Sequence, residues 1–418
     1  MFNTLANAWK IPDLRRKLIF TLAMLAIFRI GSFIPVPGMD TAAISELVAK
    51  GGLIGFFDVI SGGAFANFAV FAMNITPYIN ASIIMQLLTV AIPKLEALAK
   101  EGEDGRKKIA QYIRYGTVIL GFIQAIALSI GLRGYLLDTG FWTIALVAVS
   151  LTAGTAFLMW LGEMINEKGI GNGISLIIFA GIVSRIPLGL NKIYQLFMNK
   201  SINIFQIAFF LICAIVIIMA VVMVQEGQRR IPVQYAKRVV GRKMYGGQSS
   251  HIPLKVNSAG VIPVIFAMSL ISFPSQIAAF FPGSATYRIF NDWLGWGTIP
   301  HAILYALLII GFTYFYTAIQ FNPTEVAENI KKYGGFIPGI RPGKPTADFI
   351  MKSLNKITLV GALFLAAIAC VPIFLVKLSG IDIAFGGTSL LIVVGVALDF
   401  IKQVESQMVM RNYQGFLK

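Results

Sequence analysis

The sequence has little charge and few residues of the kinds that bind metals or form disulfides. Only 13% of its 418 residues are charged, 57% are hydrophobic and the mean hydropathy is +0.76. Soluble domains are about 25% charged, so this composition cannot supply a water-facing surface. Cys213 and Cys370 lie in apolar segments that favour packing roles, and His251 and His301 have no ligand-like neighbours at metal spacing. We expect a polytopic membrane protein without a metal or cofactor.

Motifs for catalysis and nucleotide binding are also missing. GIGNGIS (Gly169–Ser175) lies between two apolar segments without a preceding strand, so it predicts a tight turn and not a dinucleotide loop. GIRPGKPT lacks the spacing of a phosphate-binding loop. Glu163 and Asp399 lie towards the ends of apolar segments and Arg29 stands alone in the first, whereas ion-coupled carriers place ionisable groups mid-membrane. We therefore expect no enzyme, and transport driven by a partner.

Apolar segments close to 20 residues, the length that crosses about 30 Å of hydrocarbon as a helix, recur along the chain. Barrel strands would be about half as long and would alternate in polarity. Most of the 35 lysines and arginines fall in the even-numbered loops and the termini, which predicts that both termini are cytoplasmic. The ten predicted spans are Leu18–Ile34, Phe68–Ile92, Tyr112–Leu132, Phe141–Leu161, Gly173–Leu188, Ile204–Val224, Ala259–Phe281, Ala302–Phe321, Ile357–Leu378 and Ile383–Ile401.

Two long loops on the predicted cytoplasmic side have a distinctive composition. Residues 225–255 contain seven basic residues and one acid, and residues 322–356 are rich in proline and glycine. Together with alternating Val, Tyr and Ile, these residues predict ordered hairpins or short helices and not flexible linkers.

The stretch before the second span contains residues that a simple membrane crossing does not need. Gly62 and Gly63 interrupt an apolar run, and a clean helical pattern begins only after Pro77. Ile75 and Ile79 are four residues apart and so share one face of that helix. One interpretation is a helix packed in a bundle with isoleucines as ordinary core residues.

Eight stretches support a more specific interpretation. They are FRIGSFIPVPG (Phe28–Gly38), NITPYINASIIMQLLT (Asn74–Thr89), EGEDGRKKIAQYIRYGT (Glu101–Thr117), MWLGEMINEKGIGNGIS (Met159–Ser175), EGQRRIPVQYAKR (Glu226–Arg238), HIPLKVNSAGVIPVIFA (His251–Ala267), FNPTEVAENIKKYGGFIPGIRPG (Phe321–Gly343) and FGGTSLLIVVGVALD (Phe385–Asp399). In order and spacing they resemble the bacterial SecY family, the channel subunit of the protein translocase. The resemblance implies an all-α polytopic membrane protein, with ten transmembrane helices in two pseudo-symmetric halves (1–190 and 191–418) around an hourglass pore.

The implied function is a protein-conducting channel. It would translocate unfolded secretory polypeptides across the bacterial plasma membrane and release transmembrane segments laterally into it, driven by a partner motor or ribosome. The implied partners are SecE-like and SecG-like small membrane subunits, the SecA motor ATPase, the ribosome through RNA and protein at its tunnel exit, preproteins with signal sequences, and the lipid bilayer. The alternatives are a secondary transporter with a broken helix and a structural membrane scaffold.

The resemblance also implies roles for residues near the interrupted stretch. Residues 56–67, called the plug segment below, would form a short helix that seals the outer funnel, and its glycines would hold it only marginally; a loop that merely folds back is the alternative. The named plug residues are Asp58, Ser61, Gly62, Gly63, Phe65 and Asn67. A constriction that gates by dewetting would be formed by the ring isoleucines Ile75, Ile79, Ile178, Ile265 and Ile392.

Two further sites follow from the same resemblance. A lateral gate between spans two and three and spans seven and eight would be held by hydrogen bonds between helices, from Asn80, Gln86, Gln124 and Asn257. The basic loops would dock the ribosome or SecA through Arg229, Arg230, Lys237, Arg238, Arg242, Lys243 and Arg341. The alternative for these charges is that they only enforce topology.

Overall fold

The computed structural model of the chain is mainly helical. It describes residues 8–49, 55, 58–200, 202–235, 238–240, 243–245, 249–278, 295, 298–379 and 387–415. Its named helices are α1 (Pro12–Gly31), α2 (Thr41–Ala49), α3 (Thr76–Ala91), α4 (Pro93–Lys100), α5 (Glu103–Gly131), α6 (Phe141–Lys168), α7 (Gly173–Met198), α8 (Ile204–Glu226), α9 (Ile262–Ala278), α10 (Ile299–Gln320), α11 (Pro323–Lys332), α12 (Lys344–Ser379) and α13 (Gly387–Gly415).

Helix starts follow local signals in the sequence. The side chain of Asn172 accepts a hydrogen bond from the backbone N–H of Ser175 at 3.2 Å and so caps α7. Asn322 caps α11 in the same way, and Pro323 follows it at the first helical position, where no backbone N–H is needed. The stretch GIGNGIS is thus a turn between two helices, as the sequence predicts.

Six helices in the described ranges are long and apolar enough to cross a membrane, or seven if α3 and α4, which meet at a bend of 101°, count as one broken span. Helices α1, α9 and α13 coincide with the first, seventh and tenth predicted spans. The prediction of a ten-span membrane protein is therefore consistent with the structure.

The second predicted span, Phe68–Ile92, begins as a helix eight residues later than expected. Residues 61–75 form turns and a short bridge, and α3 starts at Thr76. Phe68 and Asn74 have φ angles of 40° and 51°, in the left-handed region that a helix cannot include. Hydropathy alone could not show this, because most of these turn residues are apolar.

The helices form two groups that meet along two seams. In the first group α5 packs on α3 and α6, and α7 packs on α1 and α6. In the second, α12 packs on α8, α10 and α13. The groups meet where α9 contacts α3 and α5, and where α13 contacts α7. Space for a passage between the groups therefore lies between these seams.

The two basic loops form one structure and not two. Strands β1 (Gln228–Tyr235) and β4 (Ser249–Lys255) pair antiparallel, which confirms the predicted hairpin. Strand β5 (Gly335–Phe336), from the second loop, pairs with the other edge of β1. Strands β2 (Arg238–Val240) and β3 (Lys243–Tyr245) form a separate two-stranded sheet. A shared apolar core joins the three-stranded sheet to α11 and α12 through Ile231, Val233, Leu254, Ile330, Ile337, Ile350 and Leu354.

Candidate channel constriction and its seal

A cavity, called the central cavity below, lies between the two helix groups. Four of the five ring isoleucines line it, each from a different helix: Ile79 of α3, Ile178 of α7, Ile265 of α9 and Ile392 of α13. The space open to the centres of water molecules is about 40 Å³, which is room for only a few waters. An apolar space this small disfavours a continuous file of water.

The fifth ring isoleucine is placed differently. Ile75 belongs to one apolar cluster with Ile79 and Ile178 but does not line the central cavity. Its side chain is only 1% exposed. It immediately precedes α3 as its N-cap residue, with φ −92° and ψ 4°, and its carbonyl oxygen accepts a hydrogen bond from the N–H of Ile79 at 3.0 Å. Thr76 lines the cavity in its place.

The remaining cavity wall contains polar groups. Ser269, Ser272, Tyr305 and Thr388 all line it. The hydroxyl oxygens of Tyr305 and Thr388 are buried, and no described residue forms a hydrogen bond with them. The cavity thus combines four isoleucines with hydroxyl groups that can bond to water or to a peptide backbone.

The plug segment reaches the central cavity, because Ile60 is part of the cavity wall. Within its described part, only residues 58–60 are helical and the rest forms turns, so the predicted short helix is largely wrong. Its residues 56 and 57 lie outside the described ranges. Phe65 points away from the cavity into a separate apolar cluster with Val36 and Leu151.

The plug segment is also more firmly held than its glycines suggested. Asp58 forms an ion pair with Arg185 of α7, and its Oδ1 accepts a hydrogen bond from the N–H of Ala66 at 2.7 Å. Nδ2 of Asn74 donates to the carbonyl oxygen of Ile60 at 3.0 Å. The named plug residues are buried except Asn67, which is partly exposed.

Arg29 does not stand alone, as the sequence suggested. Its guanidinium donates to the carbonyl oxygen of Gly62 in the plug segment and to Oγ of Ser184 at 3.2 Å. The hydroxyl of Ser184 also reaches the Gly62 carbonyl, at 3.5 Å. The partners lie far apart in sequence, so no local pattern could pair them.

The plug glycines allow a backbone geometry that other residues rarely adopt, and they do not only lower the stability of a helix. Gly62 and Gly63 have φ angles of 68° and 94°, which side chains rarely tolerate. A Cβ at Gly181 of α7 would collide with the carbonyl oxygen of Ile60 and lie 3.3 Å from the backbone nitrogen of Gly62. Backbone therefore packs directly on backbone where the plug segment meets α7.

Three of the gate residues lie on the expected helices, Asn80 and Gln86 on α3 and Gln124 on α5, whereas Asn257 lies in a turn before α9 and not on a helix as expected. The gate residues also bond differently from the prediction. Gln86 donates to Oγ of Ser82 on its own helix at 3.3 Å, and Asn257 donates to the carbonyl oxygen of Gly260 at 3.0 Å. These bonds are local, whereas bonds between helices were expected. One polar atom on each gate residue is buried without a partner among the described residues: Asn80 Nδ2, Gln86 Oε1, Gln124 Nε2 and Asn257 Oδ1. Such groups weaken the packed seam, because burying them unpaired costs free energy.

The docking residues that the structure describes lie on the joined protrusion. Arg229 and Arg230 are exposed on β1. Arg341 is exposed in a loop between Gly339 and Gly343, both with positive φ, and its carbonyl oxygen accepts a hydrogen bond from Thr346 at 2.9 Å. Arg238 and Lys243 begin β2 and β3, whereas Lys237 and Arg242 lie outside the described residues.

Sequence reasoning missed Ile60, Ser184 and Arg185. Arg185 carried a usable signal, because it falls inside the fifth predicted span, Gly173–Leu188, where a charge is costly without a partner. Asp58 was named as a plug residue without that partner. Ile60 and Ser184 are ordinary residues whose roles appear only in three dimensions.

Comparison with known proteins agrees with this geometry. The SecY family model matches residues 69–401. The protein translocase subunit SecY of Halalkalibacterium halodurans is 52% identical, with all of both chains covered. Among solved structures, one that concerns how the plug domain of the SecY protein stabilises the closed state of the translocation channel has a TM-score of 0.67 at 21% identity, covering 94% of this chain and 92% of that one. Sec61 in the canine ribosome–channel complex has a TM-score of 0.65 at 19% identity, covering 94% and 93%.

The solved structures share the fold, and the family match extends to the sequence itself. The matched range includes the three-stranded sheet and the helices of the two seams, from α3 to residue 401 within α13. The family is one of channels and not of catalysts. The chain therefore belongs to the SecY family, the protein-conducting channel subunit of protein translocases.

Proposed function

We propose that the central cavity is the constriction through which this channel passes polypeptides, and that the plug segment seals it at rest. The observation that carries the proposal is the convergence of four isoleucines from four helices on one small cavity, with Ile60 of the plug segment in the same wall. Apolar constrictions exclude water and ions by dewetting. Branched side chains can also pack around an extended chain of any sequence, which a channel for many substrates requires.

The seam between α9 and the pair α3 and α5 is the proposed lateral gate. Its polar residues carry buried atoms that have no partner in the part of the chain that the structure describes, so little hydrogen-bond energy opposes its opening. Apolar segments gain about 0.3–0.6 kcal/mol per Leu, Ile, Phe or Val at the membrane centre. A segment of about 20 such residues that samples the seam would therefore enter the lipid, and a polar segment would pass on.

The joined protrusion is the proposed docking surface. Arg229 and Arg230 on β1 and Arg341 in its loop are exposed, and the shared apolar core holds these elements together. Exposed arginines suit the phosphates of ribosomal RNA and acidic patches on a motor protein such as SecA. We extend the proposal to SecE-like and SecG-like subunits, to the bacterial plasma membrane and to cytoplasmic termini, in line with the family and the charge distribution.

Disulfide trapping of an arrested substrate tests the constriction. In a Cys213→Ser/Cys370→Ser background, single cysteines replace Ile79 or Ile178, and a preprotein with one cysteine is arrested during translocation. We expect a disulfide to form at both ring positions. The matched control is Ile212→Cys on α8, where the side chain is 61% exposed on the outside of the helix bundle. Trapping at the control but not at the ring would overturn the proposal.

Deletion of residues 58–67 tests the seal separately. The deleted channel should leak ions in a planar bilayer because the end of the central cavity would be open. Conductance at the level of the full chain, with normal amounts of inserted protein, would show that this segment is a loop that merely folds back.

A further inference from the structure

Two arginines from different helices hold the plug segment at adjacent positions. Arg185 of α7 forms an ion pair with Asp58, and Arg29 of α1 donates to the carbonyl oxygen of Gly62. Ser184 of α7 joins the second contact, 3.2 Å from the Arg29 guanidinium. Each helix thus contributes a guanidinium to a different end of one tight turn.

The ion pair is largely buried, so each charge needs the other to offset the cost of its removal from water. The side chain of Asp58 is 6% exposed and that of Arg185 is 18% exposed. Removing one partner from a buried pair leaves an uncompensated charge, which is far less favourable than removing both. The uncompensated charge can regain water only if the plug segment moves away from α7.

We propose that Asp58 and Arg185 form a charged latch that holds the plug segment against α7 and keeps the channel closed. This inference rests on the proposed role of the plug segment as the seal. Because Asp58 belongs to the plug segment and Arg185 to a helix, opening separates the pair. Water then solvates both charges and compensates for the lost ion pair. The latch thus fixes one position of the plug segment in the closed channel, while its opening costs little free energy.

Opening also changes the net charge around the space that the plug segment leaves. Asp58 moves with the plug segment, whereas Arg29 and Arg185 remain on α1 and α7 beside the vacated space. An open channel with an intact Arg185 should therefore attract anions, and one that lacks Arg185 should do so less. The anion preference of the leak would not depend on Arg185 if the ion pair had only a structural role.

The test compares three variants of the full chain, purified with its co-purifying membrane subunits: Asp58→Asn, Arg185→Gln and the double variant. Potassium and chloride currents are measured in planar bilayers of phosphatidylethanolamine and phosphatidylglycerol. We expect each single variant to raise the leak about tenfold or more, and the double variant to leak less than either. The Asp58→Asn leak should prefer chloride over potassium more strongly than the Arg185→Gln leak.

Exposed residues of the loop between α5 and α6 provide matched controls. Arg133→Gln and Asp138→Asn make the same chemical changes at exposed positions and should leave the leak unchanged. The latch would be overturned if the fold increase in leak of the double variant equalled the product of the fold increases of the two single variants. The two charges would then act independently. The same holds if both singles stay at the wild-type level.

Deletion of residues 58–67 separates failure of the latch from failure of the seal. If the deletion leaks and the single variants do not, the seal stands and the latch is wrong. If the deletion does not leak, the proposed sealing role of the plug segment is wrong, and so is the latch that rests on it.

Discussion

Replacing Gly181 with alanine should open the seal without changing any charge. A Cβ at this position would overlap the carbonyl oxygen of Ile60 and lie 3.2 Å from its carbonyl carbon. The plug backbone must then move away from α7, which disturbs the hydrogen bonds to the carbonyl oxygens of Ile60 and Gly62.

The size of the effect follows from the kind of contact that is lost. Overpacking of this type costs about 1–3 kcal/mol, and each 1.4 kcal/mol is a factor of ten in an equilibrium. The fraction of open channels should rise about 5- to 150-fold. Alanine in a helix interior is about 1 kcal/mol more favourable than glycine, so α7 itself is not weakened.

Ion conductance in planar bilayers measures this open fraction directly. The matched control is Gly311→Ala on α10, where the added Cβ meets no described atom within 4 Å outside the local backbone of its own helix and the helix gains the same propensity. A wild-type leak from Gly181→Ala, with normal insertion, would refute the close packing of the plug segment on α7. An equal leak from both variants would refute it too, since only one of them meets the plug segment.

Three further perturbations test other parts of the molecule. Ile392→Asn should raise resting conductance about tenfold or more, because burial of an isoleucine side chain is worth about 1.5–3 kcal/mol; unchanged conductance would count against the ring. Arg341→Glu should impair preprotein translocation while membrane insertion of the channel stays normal, and the neighbouring exposed Lys344→Glu serves as its control. Thr21→Val removes the hydroxyl that accepts from the N–H of Ile170 at 3.1 Å and should destabilise the chain by about 1–3 kcal/mol in thermal unfolding; an unchanged melting temperature would exclude that role.

Features with a strong local signal were predictable from the sequence. Hydropathy located the spans, and the basic loop 225–255 was predicted to form ordered hairpins or short helices, of which the structure has the hairpin. The turn between α6 and α7 was predicted from its glycines, and the structure adds the cap that Asn172 provides for α7. In each case the residues that determine the structure are neighbours in the chain.

Features that depend on distant partners were not predictable in the same way. Strand β5 has two residues, too short for any periodic pattern, and exists only because β1 offers a free edge. Ser184 meets the carbonyl of Gly62 across 122 residues of sequence. Ile75 was assigned to a helical face, but α3 begins one residue after it.

The plug segment combines close packing with release, and its contacts explain how both are possible. An apolar helix in the same position would lose its burial energy on leaving, with nothing in water to replace it. Here the contacts with α1 and α7 include an ion pair and hydrogen bonds to backbone carbonyls, which water can replace almost one for one, beside the buried apolar side chains of Val59 and Ala64. The desolvation of Asp58 and Arg185 also offsets much of their attraction while the channel is closed. The geometry is therefore strict, because glycines and fixed donors allow one seated position, while the free energy needed to leave it stays within reach of a partner that drives translocation.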